Sequence, residues 1–138
     1  MDCIFCALAA KTIPADVVYE NEEALAFLDV HPVAPGHTVV IPKTHSETIL
    51  DTPEHVVRSV FLAVQAATRR LQESLRPDGF TIGMNHGAAG GQVIPHVHVH
   101  ILPRWKGDKG SNMHGIVQNP PVSYDVVKQK VIGETKDK

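Results

Sequence analysis

Apolar and polar positions alternate in short bursts along most of this chain, and one stretch alone carries a sustained helical period. Residues 3–10 read as a short helical segment that ends near residues 11–14. Residues 17–20 and 24–30 flank the turn Asn21-Glu22-Glu23 and predict a β-hairpin, the second strand carrying Phe27 and Asp29. His31-Pro32-Val33-Ala34-Pro35-Gly36 holds two prolines and a glycine, which cannot continue a ladder, so a turn is expected there. Residues 38–41 form a third strand stopped by Pro42. The helical period runs through Val57, Val60, Phe61, Val64, Ala67, Leu71 and Leu75. Asp51 or Thr52 would cap that helix, Pro53 suits its first position, and Glu54 favours the positive end of its dipole. Pro77-Asp78-Gly79 ends it. Residues 80–85 then read as a strand, 86–91 as a glycine-rich loop, 93–102 as a fifth strand, 103–121 as mostly loop and 123–132 as a terminal helix. Strands outnumber helices and lack regular crossover helices. The class expected is α+β, with a mostly antiparallel sheet, one long helix and short terminal helices.

A chain of 138 residues is large enough for a core of its own and predicts a single domain. The net charge of −2 gives no electrostatic reason to expect nucleic acid or an anionic membrane as partner. No apolar run approaches the ~18 residues of a membrane span. The start Met1-Asp2-Cys3-Ile4-Phe5-Cys6 lacks the basic and long apolar regions of a signal peptide, so a cytoplasmic protein with reduced cysteines is expected.

The chemistry is concentrated in His96-Val97-His98-Val99-His100-Ile101-Leu102. Strand side chains alternate faces, so three imidazoles would project from one face, with neighbours ~6.5–7 Å apart, while Val97, Val99 and Ile101 pack on the other. Convergence of all three on one catalytic zinc is awkward, because the outer two would be ~13 Å apart at Cα. A histidine nucleophile with an orienting or acid–base partner is easier to build, since neutral imidazole attacks well near pH 7. Asn85-His86-Gly87-Ala88-Ala89-Gly90-Gly91-Gln92, just upstream, offers small side chains and backbone amides suited to a phosphate.

Residues 91–104, together with Phe27-Leu28-Asp29-Val30, residues 34–45 and Cys3-Ile4-Phe5-Cys6, resemble the histidine triad (HIT) family. The resemblance covers residues 3–106 and leaves 107–138 as a C-terminal extension of one HIT domain. It implies a five-stranded α+β sheet with one long helix, commonly paired into a homodimer. It also implies a hydrolase or transferase that acts at the α-phosphate of purine nucleotides through a covalent nucleotidyl-histidine. On that pattern His98 is the nucleophile, His100 bonds the phosphate and Gln92 the bridging or leaving oxygen, with His96 completing the triad. Asn85 and the Gly91 backbone complete the phosphate cradle, Asp29 binds the ribose, and Phe27 and Val30 line the base pocket. Plain core packing is the alternative for Phe27 and Val30. Val93 departs from the Hint branch, which carries a hydroxyl there; a valine cannot donate that hydrogen bond, and this tells against efficient phosphoramidase chemistry. A non-catalytic purine-nucleotide-binding scaffold is the competing class.

Cys3 and Cys6 lack the strand that precedes a thioredoxin-like redox pair. As zinc ligands they need two more donors, which must be histidine or carboxylate because no other cysteine exists. The resemblance implies His45 and His96 for that role, giving one structural zinc per chain and no catalytic metal. His31, His37, His55, His86 and His114 read as turn or surface residues; Lys43, Arg104 and Lys106 read as solvated charge rather than polyphosphate contacts.

Overall fold

The computed structural model describes residues 3–119 and 123–133. Contacts divide the chain into two compact units, residues 1–108 and 109–138. In the first, helix α1 (Ile4–Ala9) precedes strands β1 (Val17–Glu20), β2 (Ala24–Leu28) and β3 (Thr38–Pro42). Helix α2 (Glu54–Leu75), β4 (Gly79–Gly83) and β5 (Val99–Arg104) follow. The strands form one sheet in the order β1-β2-β3-β5-β4, with every pairing antiparallel. The class and strand number are those expected.

Both faces of the central strands are covered, which is why β2 and β3 read as nearly unbroken apolar runs. On one face Ala26, Val40, Val99 and Ile101 pack against Val56, Val60, Ala63, Val64, Ala67 and Leu71 of α2. On the other, Leu25, Phe27, Val39 and Ile41 pack against Phe5 and Leu8 of α1. Phe27 pairs with Val39, and Val39 with His100, so one row across three strands brings an aromatic ring and an imidazole to the α1 face.

Several details differ from the sequence reading. The buried stripe of α2 includes Val56 and the alanines; Phe61 is 43% exposed and Leu75 41%. Wholly buried Ala63 and Ala67 let the helix lie close to the sheet; the expected stripe held Ala67 but passed over Val56 and Ala63. Pro53 is the N-cap rather than the first helical residue, because Thr48 and Asp51 form a capping box on their own 3-10 turn, Ile49–Asp51. Strand β2 stops at Leu28, leaving Val30 79% exposed in the following turn. The histidine strand begins at Val99, not at 93: the His96 amide bonds Ile94 and the Val97 amide bonds the Ser46 carbonyl, so neither enters the ladder. Gly36, at φ +82°, turns the chain into β3 where a Cβ would collide with Leu75, and this places His37.

In the second unit, a 3-10 turn covers Met113–Gly115 and a helix, α3 (Tyr124–Lys128), runs on into a π turn, Gln129–Gly133. That agrees with the expected terminal helix, of which all but the first residue lies within these elements.

Candidate active site and metal-ligand cluster

The three histidines of the motif divide between two places. His96 is fully buried and turns its Nδ1 to Cys3 Sγ at 3.3 Å, Cys6 Sγ at 3.6 Å and His45 Nδ1 at 3.2 Å. His45 Nδ1 is also 3.3 Å from Cys6 Sγ. Four donor atoms with all separations within 4.8 Å fit a tetrahedral ion, whose N and S ligands lie about 3.3–3.8 Å apart at ordinary zinc bond lengths. The His96 ring sits 2.9 Å from the Pro42 carbonyl through Nε2, which as donor leaves the Nδ1 lone pair for a ligand bond. Burial, and the Cys3 thiol beside it, raise the Cys6 thiol above its ordinary range, so without a cation the sulfur stays protonated at neutral pH. The donor set therefore suits zinc. His96, expected in the catalytic triad, is absent from the cavity lining; its carbonyl meets a residue of that lining, His98.

That carbonyl accepts a hydrogen bond from His98 Nδ1 at 2.7 Å, which leaves the lone pair on Nε2. The His98 ring lies edge-on to Phe5 and to His100, with centroids 5.0 Å apart in each case. His98 and His100 both line a cavity of about 650 Å³ with Phe27, Asp29, Val30, Asn85, Gly91 and Val93. Its walls are mainly apolar, and Phe5, Leu8, Ile4 and Ile13 close one side.

His100 lies 2.9 Å from His37, and Asp29 is 3.6 Å from the same His37 nitrogen. His37 is 5% exposed, so of the expected turn or surface placement only the turn holds: the turn before β3 folds inward rather than out. Burial lowers the pKa of His37, opposed by Asp29. Burial, reinforced by neighbouring His98 and His37, brings His100 down to about 4. The folded chain therefore binds fewer protons here than the unfolded chain between about pH 6.5 and 4, and stability should fall as pH falls through that window. Thermal melts of the wild type and His100→Gln at pH 7 and pH 5 check this. The variant should lose less stability on acidification, and equal losses would refute the assignment.

Two expected phosphate contacts are otherwise occupied. The Gly91 amide donates to Ala88 at 3.0 Å within a 3-10 turn (Ala88–Gly90), so Gly91 meets the cavity without a free amide. Gln92 donates through Nε2 to the Glu47 and Ile94 carbonyls and accepts the Gly87 amide on Oε1, bracing the loop. Gln92 does not line the cavity. Asn85 does, beside Gly91. Lys43 pairs with Glu20 at 2.6 Å and Arg104 with Asp108 at 2.7 Å, as surface ion pairs. His31, His55, His86 and His114 are exposed. Besides His37, sequence reasoning missed Phe5 and Leu8. Their signal was an apolar i, i+3 pair between and beyond the two cysteines with no core assigned to it.

The HIT domain profile matches residues 10–107. The chain is 40% identical over 131 residues to an uncharacterized HIT-like protein of Methanocaldococcus jannaschii, covering 95% of this chain and 99% of that one. It is 37% identical over 107 residues to the protein named adenylylsulfatase HINT3 of Arabidopsis thaliana, covering 78% of this chain and 54% of the relative. A solved structure, the Zn-bound histidine triad family protein from Mycobacterium smegmatis, is similar at a TM-score of 0.75 and 40% identity, covering 87% of this chain and 84% of that one. The matched residues take in the whole antiparallel sheet, α2 and the three motif histidines of this chain. The chain belongs to the histidine triad family.

Proposed function

We propose that this protein is a nucleotide hydrolase or transferase acting at the α-phosphorus of purine nucleotides, with His98 as nucleophile. The observation that carries the reading is the 2.7 Å bond from His98 Nδ1 to the His96 carbonyl, which exposes the Nε2 lone pair in a cavity of nucleotide size. Phe5, Phe27, Leu8 and Val30 offer apolar walls to a base, Asp29 accepts from ribose hydroxyls, and His100 and Asn85 face the phosphate. His98 Nε2 forms an N–P bond as the bond from phosphorus to the leaving group breaks, and the leaving group departs with the electron pair and takes up a proton. Water then attacks phosphorus, the N–P bond breaks, and nucleoside monophosphate leaves with the imidazole restored. Hydrogen-bond donors on the phosphoryl oxygens stabilise the charge that develops.

Cys3, Cys6, His45 and His96 would hold one structural zinc, a reading supported by the Zn-bound mycobacterial relative. It would fix α1 against the segment that carries His98 into β5, and no step runs through it. Edge strand β4 has one unpaired side, and Phe61 and Leu62 of α2 are exposed; both features support a homodimer with a continuous sheet. Among the described residues no helix is long and apolar enough to cross a membrane.

Rapid-quench mass spectrometry with a dinucleoside triphosphate, a dinucleoside tetraphosphate, an adenosine phosphoramidate and adenylyl sulfate tests the proposal. An adduct of one adenylyl group on His98 is expected, with anhydride substrates ahead of the amidate. Val93, 88% exposed at the cavity, gives an amine leaving group no hydrogen bond. Val93→Ser should raise amidate turnover about tenfold, the worth of one such bond. Nucleotide binding with no adduct and no turnover of any substrate would instead establish the scaffold reading.

A further inference from the structure

A chain of hydrogen bonds that starts at a backbone amide ends at His100. The Val33 amide donates to His37 Nδ1 at 3.2 Å. A ring nitrogen that accepts an amide proton carries none of its own, so the His37 hydrogen is on Nε2. That Nε2 lies 2.9 Å from His100 Nδ1, within hydrogen-bond range, whereas Asp29 at 3.6 Å is beyond it. The proton is therefore donated to His100, whose Nδ1 accepts. The remaining hydrogen of His100 must sit on Nε2, the other ring nitrogen of a side chain that lines the cavity.

We propose that His37 is a positioning residue: it holds His100 as the Nε2–H tautomer, so that His100 presents a donor rather than a lone pair to the phosphoryl group. This rests on the reading of the cavity as a nucleotide site. His37 itself does not line the cavity and would touch no substrate. Its backbone is fixed on both sides, the amide donating to Ala34 at 3.0 Å and the carbonyl accepting from Asp29 at 2.9 Å. Burial disfavours the cationic form of both rings. A protonated His37 would also aim an Nδ1–H at the Val33 amide, donor against donor. The same conflict argues against a metal ion between Asp29, His37 and His100, although their donor atoms lie within 4.8 Å of one another. Binding through His37 Nε2 would force its hydrogen onto Nδ1, toward the Val33 amide.

The experiment compares zinc-loaded wild type, His37→Gln, His37→Met and His37→Asn by long-range ¹H–¹⁵N correlation of the imidazoles and by steady-state kinetics on the best substrate. Gln places an amide donor near the original Nε2; Met is apolar; Asn is polar but too short to reach His100, and it serves if Met fails to fold. In the wild type, His100 should show protonated Nε2 and bare Nδ1. In the Met or Asn variant the two tautomers should mix and kcat should fall about 10- to 100-fold, the usual cost of losing a partner that orients a functional histidine, with little change in KM. Gln should restore both the tautomer and most of kcat. A wild-type His100 protonated at Nδ1, or a donorless variant that keeps the Nε2–H tautomer and full kcat, overturns the proposal. If no nucleotide is turned over by any form, the proposed activity falls while the tautomer measurement still decides the role of His37.

Discussion

His98→Ala should lower kcat/KM by about 10⁴-fold or more on every nucleotidyl substrate, the scale on which loss of a catalytic nucleophile registers. The size follows from the geometry. No second imidazole is placed to substitute: His96 Nδ1 is turned to the cysteine cluster, and His100 Nδ1 is engaged by His37. Nucleotide affinity should change only a few-fold, because the apolar walls and Asp29 remain, and the adenylyl adduct should vanish from the quenched mass spectrum. Alanine also removes the ring edge against Phe5, so the variant's melting temperature must be recorded beside its rate. A folded His98→Ala protein that keeps even a tenth of wild-type turnover would remove His98 from the chemistry and the proposed reaction with it.

Loss of the cysteine-histidine cluster should be the largest stability effect. Cys6→Ser removes one of four donors and should take zinc from one ion per chain to well below that at micromolar protein. A ligand bound at a thousand times its dissociation constant stabilises by about 4 kcal/mol, which for a protein near this size corresponds to a fall in melting temperature of roughly 10 °C. Nucleotide affinity should weaken too, since Cys3 and Cys6 flank Phe5, and Phe5 and Leu8 line the cavity. Atomic absorption, differential scanning calorimetry with and without added zinc, and a nucleotide titration give the three readouts. Wild-type protein stripped of metal that melts at an unchanged temperature, and gains nothing from zinc, would refute a structural ion.

The sheet was legible because its strands are short apolar runs bounded by turn residues, and the His-x-His-x-His motif pointed to the right face: within β5, Val99 and Ile101 do pack on α2 while His100 faces away. The separate placement of His96 and His98 was implied by family resemblance, not by spacing, since period-2 reasoning put all three rings in one row. That row fails where the Val97 amide leaves the ladder for Ser46. His37 was illegible for a related reason. Two prolines and a glycine announce a turn but not which way its last residue points, and that is decided by contact of Gly36 with Leu75 and Pro103, residues distant in sequence. The occupied amide groups of Gly91 and Gln92 were equally hidden, because a glycine-rich loop looks open until its internal hydrogen bonds are known.

The two faces of the sheet also separate inheritance from adaptation. The apolar cluster under α2 and the cluster under α1 have no residue in common. A lineage can therefore retune Ile4, Leu8 or Ile13, and with them the shape offered to a base, while the larger cluster that keeps the chain folded stays untouched. Distant, non-touching sites of this kind accumulate changes nearly independently, which makes the short first helix a natural place for substrate preference to drift.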